Sequence, residues 1–162
     1  MSRISRHVFA MESAEVAAKR ATCYRLAVGA VITLEGRIIS TGYNGPPAGE
    51  EHCRGNDCQL SRSGGCTRSV HAEENAMRFL SEYLHYVPHI SVSDLTLYVT
   101  TCPCASCADK IADFGIAKVI YRHDYRSMID SLAFFKNYSI SILKLTASGY
   151  LVDPYTQTII DD

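Results

Sequence analysis

The chain has 162 residues, 47 % of them hydrophobic and 20 % charged, and 16 Lys and Arg stand against 17 Asp and Glu for a formal net charge of −1. That length holds one domain, residues 1–162, with a sizeable core, and the near-neutral charge offers no footprint for nucleic acid, which favours a basic face. The longest apolar stretches, residues 26–33 and 95–100, are strand-sized and too short to span a membrane, so no membrane partner is expected. The first twenty residues mix charges throughout, unlike the apolar core of a signal peptide. A cytoplasmic protein is therefore expected, with its seven cysteines as reduced thiols or metal ligands.

Residues 7–22 are expected to form a helix on a rough apolar stripe of Val8, Met11, Ala14, Ala18 and Ala21. Residues 25–33 and 37–43 read as strands of a hairpin, joined by a turn at Glu35 and Gly36. Residues 44–69 are Gly, Pro, Ser, Asn, Cys and charges without periodicity. A compact domain seldom carries so long a structureless loop, so something must pin it. Helical spacing returns over residues 70–83 through Ala72, Ala76, Phe79 and Leu80. A strand at 96–101, a helix at 102–114 and a strand at 117–121 make a βαβ crossover, which favours parallel neighbours. A short helix near 127–135 and a strand near 139–145 follow. The C-terminal remainder is either a hairpin through Asp153 and Pro154 or an arm against another subunit. The fold class is α/β.

Two segments carry chemistry. One reads His71-Ala72-Glu73, the other Pro103-Cys104-Ala105-Ser106-Cys107. One imidazole and two thiolates are ligands suited to Zn²⁺, and a three-ligand set leaves a position for water, as catalytic rather than structural zinc sites do. Glu73 is the wrong type to complete a thiolate-rich site and the right type to move protons. His71 and Cys104 both fall where a helix begins, and a thiolate there gains from the unpaired N–H groups and the positive dipole end. Pro103 suits the first turn of the second helix. The pattern H-x-E followed by P-C-x-x-C is the known signature of zinc-dependent nucleobase deaminases, which the chain matches in residue type, order and spacing. The plain alternative is a zinc clip that only joins two helices, and such a clip has no use for Glu73. Glu74 is assigned to solvent or to an interface.

Cys53, Cys58 and Cys66 lie in the long loop, and Cys23 ends the first helix. A closed Cys₄ zinc site would order the loop and tie it to that helix, with His52 able to replace one thiolate. Four unrelated free thiols are the other reading. Cys102 reads as a small buried residue, and His7, His85, His89 and His123 lack ligand-like spacing.

Further segments extend the likeness over residues 5–125: ATCYRLAVGAVIT, GYNGPPAGEEHC, CTRSVHAEENA and LYVTTCPCASCADKIADFGIAKVIY. In these the chain resembles the deoxycytidylate (dCMP) deaminases. The resemblance implies a cytidine deaminase-like three-layer α/β/α fold with a mixed sheet of about five strands. It implies hydrolysis of dCMP to dUMP and ammonia, feeding thymidylate synthesis, in a homo-oligomer that is often a hexamer. Members are commonly activated by dCTP with Mg²⁺ and inhibited by dTTP. The segment Gly42, Tyr43, Asn44, Gly45 is associated with nucleotide binding, and Asn44 resembles a sugar contact, although Asn-Gly is also a strong turn dipeptide. Cys23, Cys53 and Cys66 resemble positions for an additional zinc, whose fourth ligand varies. Ala72 falls inside the motif as a substrate contact. A substrate phosphate needs a cation or several donors, for which Arg25, Arg68 and Arg122 are candidates, with Tyr121 and Tyr125 as hydroxyl donors. Two rivals stay open: a deaminase of another cytosine or purine nucleotide or nucleic-acid base, and a non-catalytic zinc-stabilised nucleotide-binding module.

Overall fold

A computed structural model describes residues 3–55, 58–62, 64–86, 89–126 and 128–160. Four helices, α1 (Arg6–Ala18), α2 (Ala72–Leu84), α3 (Ala105–Phe114) and α4 (Met128–Asn137), pack on one sheet. Its strands are β1 (Gly29–Leu34), β2 (Arg37–Tyr43), β3 (Leu95–Thr101), β4 (Lys118–His123), β5 (Ser141–Leu145), β6 (Leu151–Val152) and β7 (Ile159–Ile160). They lie in the order β2-β1-β3-β4-β5-β6-β7, parallel at β3–β4 and β4–β5 and antiparallel elsewhere.

Alternation along the strands builds the three layers. Val31, Tyr98, Ile120 and Leu145 point to one face, where Ala10, Met11 and Ala14 of α1 cover them. Ala30, Ile32, Leu97, Val99 and Val119 point to the other, against α2, α3 and Phe135 of α4. Period-two side chains on a twice-covered sheet explain why these strands read as nearly continuous apolar runs. The β1–β2 hairpin turns through Glu35 (φ 50°) and Gly36 (φ 78°), the positive pair that matches strand twist.

Three expectations need correction. The sheet has seven strands, not about five. After β5 the chain doubles back as β6 and again as β7, a hairpin through Asp153 and Pro154, each strand only two residues long. Second, α1 ends at Ala18 and β1 starts at Gly29, and just ahead of β1 the Leu26 carbonyl and the Val28 N–H are taken by the Asn44 side chain. Third, α3 starts at Ala105 with Cys104 as its N-cap, so Pro103 lies outside the first turn. The expected helix near 127–135 appears as α4; Ser127 lies outside the described residues.

The long loop is pinned by backbone. Gly45 pairs with Val70 and Leu60 with Cys66. Arg68 adds a staple, donating to the Glu51 carbonyl at 2.7 Å and facing Glu50 Oε2 at 3.7 Å. Among the described residues no helix is long and apolar enough to cross a membrane.

Candidate functional site

Two helix starts meet on the same side of the sheet. His71 is the N-cap of α2 and Cys104 the N-cap of α3, both with extended backbone and neither using its side chain to cap. An N-cap side chain ordinarily turns back to satisfy the first N–H groups. Here imidazole and thiol are turned to each other instead. His71 Nδ1 lies 3.0 Å from Cys107 Sγ and 3.6 Å from Cys104 Sγ. The three donor atoms all fall within 4.8 Å of one another, and among the described residues no fourth His, Cys, Asp or Glu joins them.

Electrostatics at this cluster are those of a site made for a cation. Cys104 is pulled down to about 4, first by its hydrogen bond with Cys107 and further by His71, against the effect of burial. Cys107 is pushed up by the same bond and then by burial, and the bond to Cys104 raises His71. One thiolate, one thiol and one imidazole thus share their protons, which a soft or borderline metal would displace. Glu73 is only 4 % exposed. Burial raises its carboxyl and the adjacent His71 lowers it, so this acid sits on the chemistry and not in solvent. Its neighbour Glu74 faces outward, with Arg78 Nη2 at 2.5 Å and Lys110 of α3 as a second partner.

His71, Glu73 and Cys104 line a cavity of about 840 Å³. That volume lies within the roughly 300–1,000 Å³ of small-molecule sites. Against known proteins, residues 4–123 match the model for the cytidine and deoxycytidylate deaminase zinc-binding region. The chain belongs to this deaminase family. It is 33 % identical over 153 residues to ComE operon protein 2 of Bacillus subtilis (strain 168), covering 94 % of this chain and 78 % of that one. It is 39 % identical over 131 residues to the deoxycytidylate deaminase of Mycobacterium phage D29, covering 75 % and 97 %. The fold matches the dCMP deaminase of cyanophage S-TIM5, solved with dCMP and dUMP, at a TM-score of 0.70 and 28 % identity, over 89 % of this chain and 99 % of that one. Zn²⁺ is the ion of this family's zinc-binding region, and one imidazole with two thiols fits it.

The structure brings some predicted residues to the cavity and not others. Arg25, Asn44, Ala72 and Tyr125 line it. Asn44 also braces the chain before β1, its Oδ1 accepting from Val28 N and its Nδ2 donating to Leu26 O, both at 2.8 Å. Gly42, Tyr43 and Gly45 do not reach the cavity. Tyr121 is fully buried in the core. Arg68 staples the loop, and Arg122 pairs with Glu15 of α1 at 3.1 Å.

Of the four loop-associated thiols, Cys23 and Cys66 line the cavity wall. Burial raises the Cys53 thiol, Arg68 lowers it, and Cys23, Cys66 and Cys58 raise it again, so the four are electrostatic neighbours. Among the described residues they do not form a tight donor group, and His52 is exposed. Sequence reasoning missed Arg126, which lines the cavity just past β4. A usable signal existed: in α/β sheets, ligand contacts gather past the carboxyl ends of parallel strands.

Proposed function

We propose that this chain hydrolyses the 4-amino group of dCMP, giving dUMP and ammonia. The observation that carries the reading is a three-donor His71–Cys104–Cys107 cluster sharing one cavity with the buried carboxyl of Glu73. Family membership supports the chemistry, and the dCMP- and dUMP-bound phage enzyme of like fold supports the substrate.

His71, Cys104 and Cys107 would hold Zn²⁺, which supplies positive charge that lowers the pKa of a water toward neutrality. Glu73 accepts the proton that water sheds as its oxygen bonds to C4 of the cytosine ring. The same carboxyl passes that proton to N3, then takes the remaining proton of the new C4 hydroxyl and delivers it to the amino group, so that the C4–N bond breaks as the C4 carbonyl forms and ammonia leaves. Ala72 walls the base, and Asn44, with one N–H and one lone pair still free of its backbone bonds, offers a sugar contact. A panel of dCMP, CMP, dCTP, deoxycytidine and short single-stranded DNA, followed by ammonia release, is expected to show dCMP preferred. A wide preference for any other member would reject the substrate.

A second Zn²⁺ on Cys23, Cys53, Cys58 and Cys66 belongs to the same reading, supported by the electrostatic proximity of the four thiols. Metal analysis is expected to find two zinc ions per chain. One ion, with loop thiols that react freely with a thiol reagent, would reject the second site. Activation by dCTP–Mg²⁺, inhibition by dTTP, a hexameric assembly and a cytoplasmic supply of dUMP for thymidylate synthesis follow from the family resemblance. Rate curves against dCMP with and without dCTP–Mg²⁺ test this, and superimposable curves count against regulation.

A further inference from the structure

Tyr121 is fully buried, and among the described residues its hydroxyl has no partner within hydrogen-bond distance. Folded proteins seldom keep such a group idle. Burial first, then the charges of Cys102 and Asp124, hold the proton on this phenol, so both side chains lie close to it. Cys102 offers it little. That sulfur already faces Ser131 Oγ at 3.9 Å, and a thiol is a weak acceptor. Asp124 offers more. Its Oδ2 accepts from Lys144 Nζ at 2.6 Å, while Oδ1 has no partner among the described residues. A donor without an acceptor thus lies beside an acceptor without a donor.

Strand register brings the three groups together. Tyr121 of β4 and Lys144 of β5 are partners on adjacent parallel strands, so their side chains rise from one face of the sheet. Asp124 is the first residue past the carboxyl end of β4. Backbone bonds fix the chain on either side of it. Cys102 N–H donates to the His123 carbonyl at 2.8 Å, and Met128 N–H to the Tyr125 carbonyl at 3.0 Å. Between those bonds, the Asp124 side chain ties the turn to β4 and β5. The next residue, Tyr125, lines the cavity of His71 and Glu73.

We propose that Asp124 is a positioning residue of this cavity: its carboxylate gathers the Tyr121 hydroxyl and the Lys144 ammonium, and so fixes the turn that presents Tyr125 to the substrate. The inference rests on the cavity being a deaminase site. It also gives the buried Tyr121 a role, exerted through Asp124 and without contact to substrate. The metal-binding trio and Glu73 belong to α2, α3 and their caps, so loosening this turn leaves the reacting groups in place. The loss should therefore fall on binding and not on the chemical step.

The test measures kcat, KM, zinc content and Tm for zinc-loaded wild type, Asp124→Ala, Asp124→Asn, Tyr121→Phe and the double variant Tyr121→Phe/Asp124→Ala. A 1 Å misplacement costs about 10²-fold, and a turn freed at one of three ties moves less, so Asp124→Ala should raise KM for dCMP roughly 10-fold with kcat within about twofold. Calorimetry should show dUMP binding weakened in step, with zinc content unchanged. Asp124→Asn keeps an acceptor for Tyr121 and should restore most of the wild-type KM. Tyr121→Phe removes one oxygen and should raise KM much as Asp124→Ala does, and the double variant should add nothing to either single change. An idle hydroxyl predicts the opposite, since replacing an unsatisfied buried group is neutral or stabilising. Wild-type KM with an equal or higher Tm in Tyr121→Phe therefore overturns the proposal. So does a joint loss of kcat, zinc and Tm, which would make the turn a support of the whole fold. A wild type that deaminates another base and not dCMP overturns the functional reading instead, and the same KM comparison on that base then decides the role of Asp124.

Discussion

Glu73→Gln is expected to lower kcat for dCMP by about 10²–10⁴-fold, the usual worth of a general acid–base group, while zinc content stays at the wild-type level. The carboxamide copies the shape of the carboxyl, so the packing of this nearly buried side chain is kept. It cannot accept the proton that the attacking water must lose. The substitution leaves alone His71, Cys104 and Cys107, the group proposed to hold the metal. Ammonia release and metal analysis on one sample separate the outcomes. Zinc retained with a near-wild-type rate removes Glu73 from the proton transfers; zinc lost together with rate makes it a ligand. Glu74→Gln is the control. Its partners Arg78 and Lys110 are surface groups, and exposed pairs contribute about 0–1 kcal/mol, so the rate should hardly move.

How much of this could be read from the chain depends on how local each feature is. His71 and Glu73 lie two apart at one helix start, and Cys104 and Cys107 three apart at another, so spacing in sequence became geometry in space. The parallel β3–α3–β4 unit was legible for the same reason, because strand, crossover and strand follow one another. The β6–β7 hairpin was one of two readings offered at Asp153 and Pro154, but its place in the sheet was not legible: two-residue strands show no alternation, and the free edge of β5 sets where they pair. Residues 25–28 have strand composition, yet the Asn44 side chain, distant in sequence, takes the Leu26 carbonyl and the Val28 N–H. Arg126 belongs to no motif, and only the fold brings it to the cavity wall. Gly42 illustrates the opposite difficulty. A motif pointed to nucleotide contact, whereas the structure seats this residue beneath α2.

Gly42→Ala is accordingly expected to damage fold and activity together. A Cβ at this position would lie 2.2 Å from the Ala72 carbonyl oxygen and 2.5 Å from Ala76 N. Both are backbone atoms, so no rotamer change relieves the clash, and overpacking of this kind costs about 1–3 kcal/mol. Helix α2 cannot simply tilt away. Ser40 Oγ donates to the Ala76 carbonyl at 2.7 Å, and Asn75 Nδ2 donates to the Tyr43 carbonyl at 2.8 Å, stitching it to β2. Restoring ordinary contact requires a displacement of roughly 1 Å, and a misplacement of that size costs about 10²-fold in rate. His71 and Glu73 travel with the first turn of α2 while Cys104 and Cys107 stay with α3, so zinc affinity should fall as well. Thermal unfolding should show a Tm lower by about 3–10 °C. If the variant instead keeps its Tm, its zinc and its rate on dCMP and loses only the response to dCTP–Mg²⁺, then Gly42 serves an effector and not the seating of the helix.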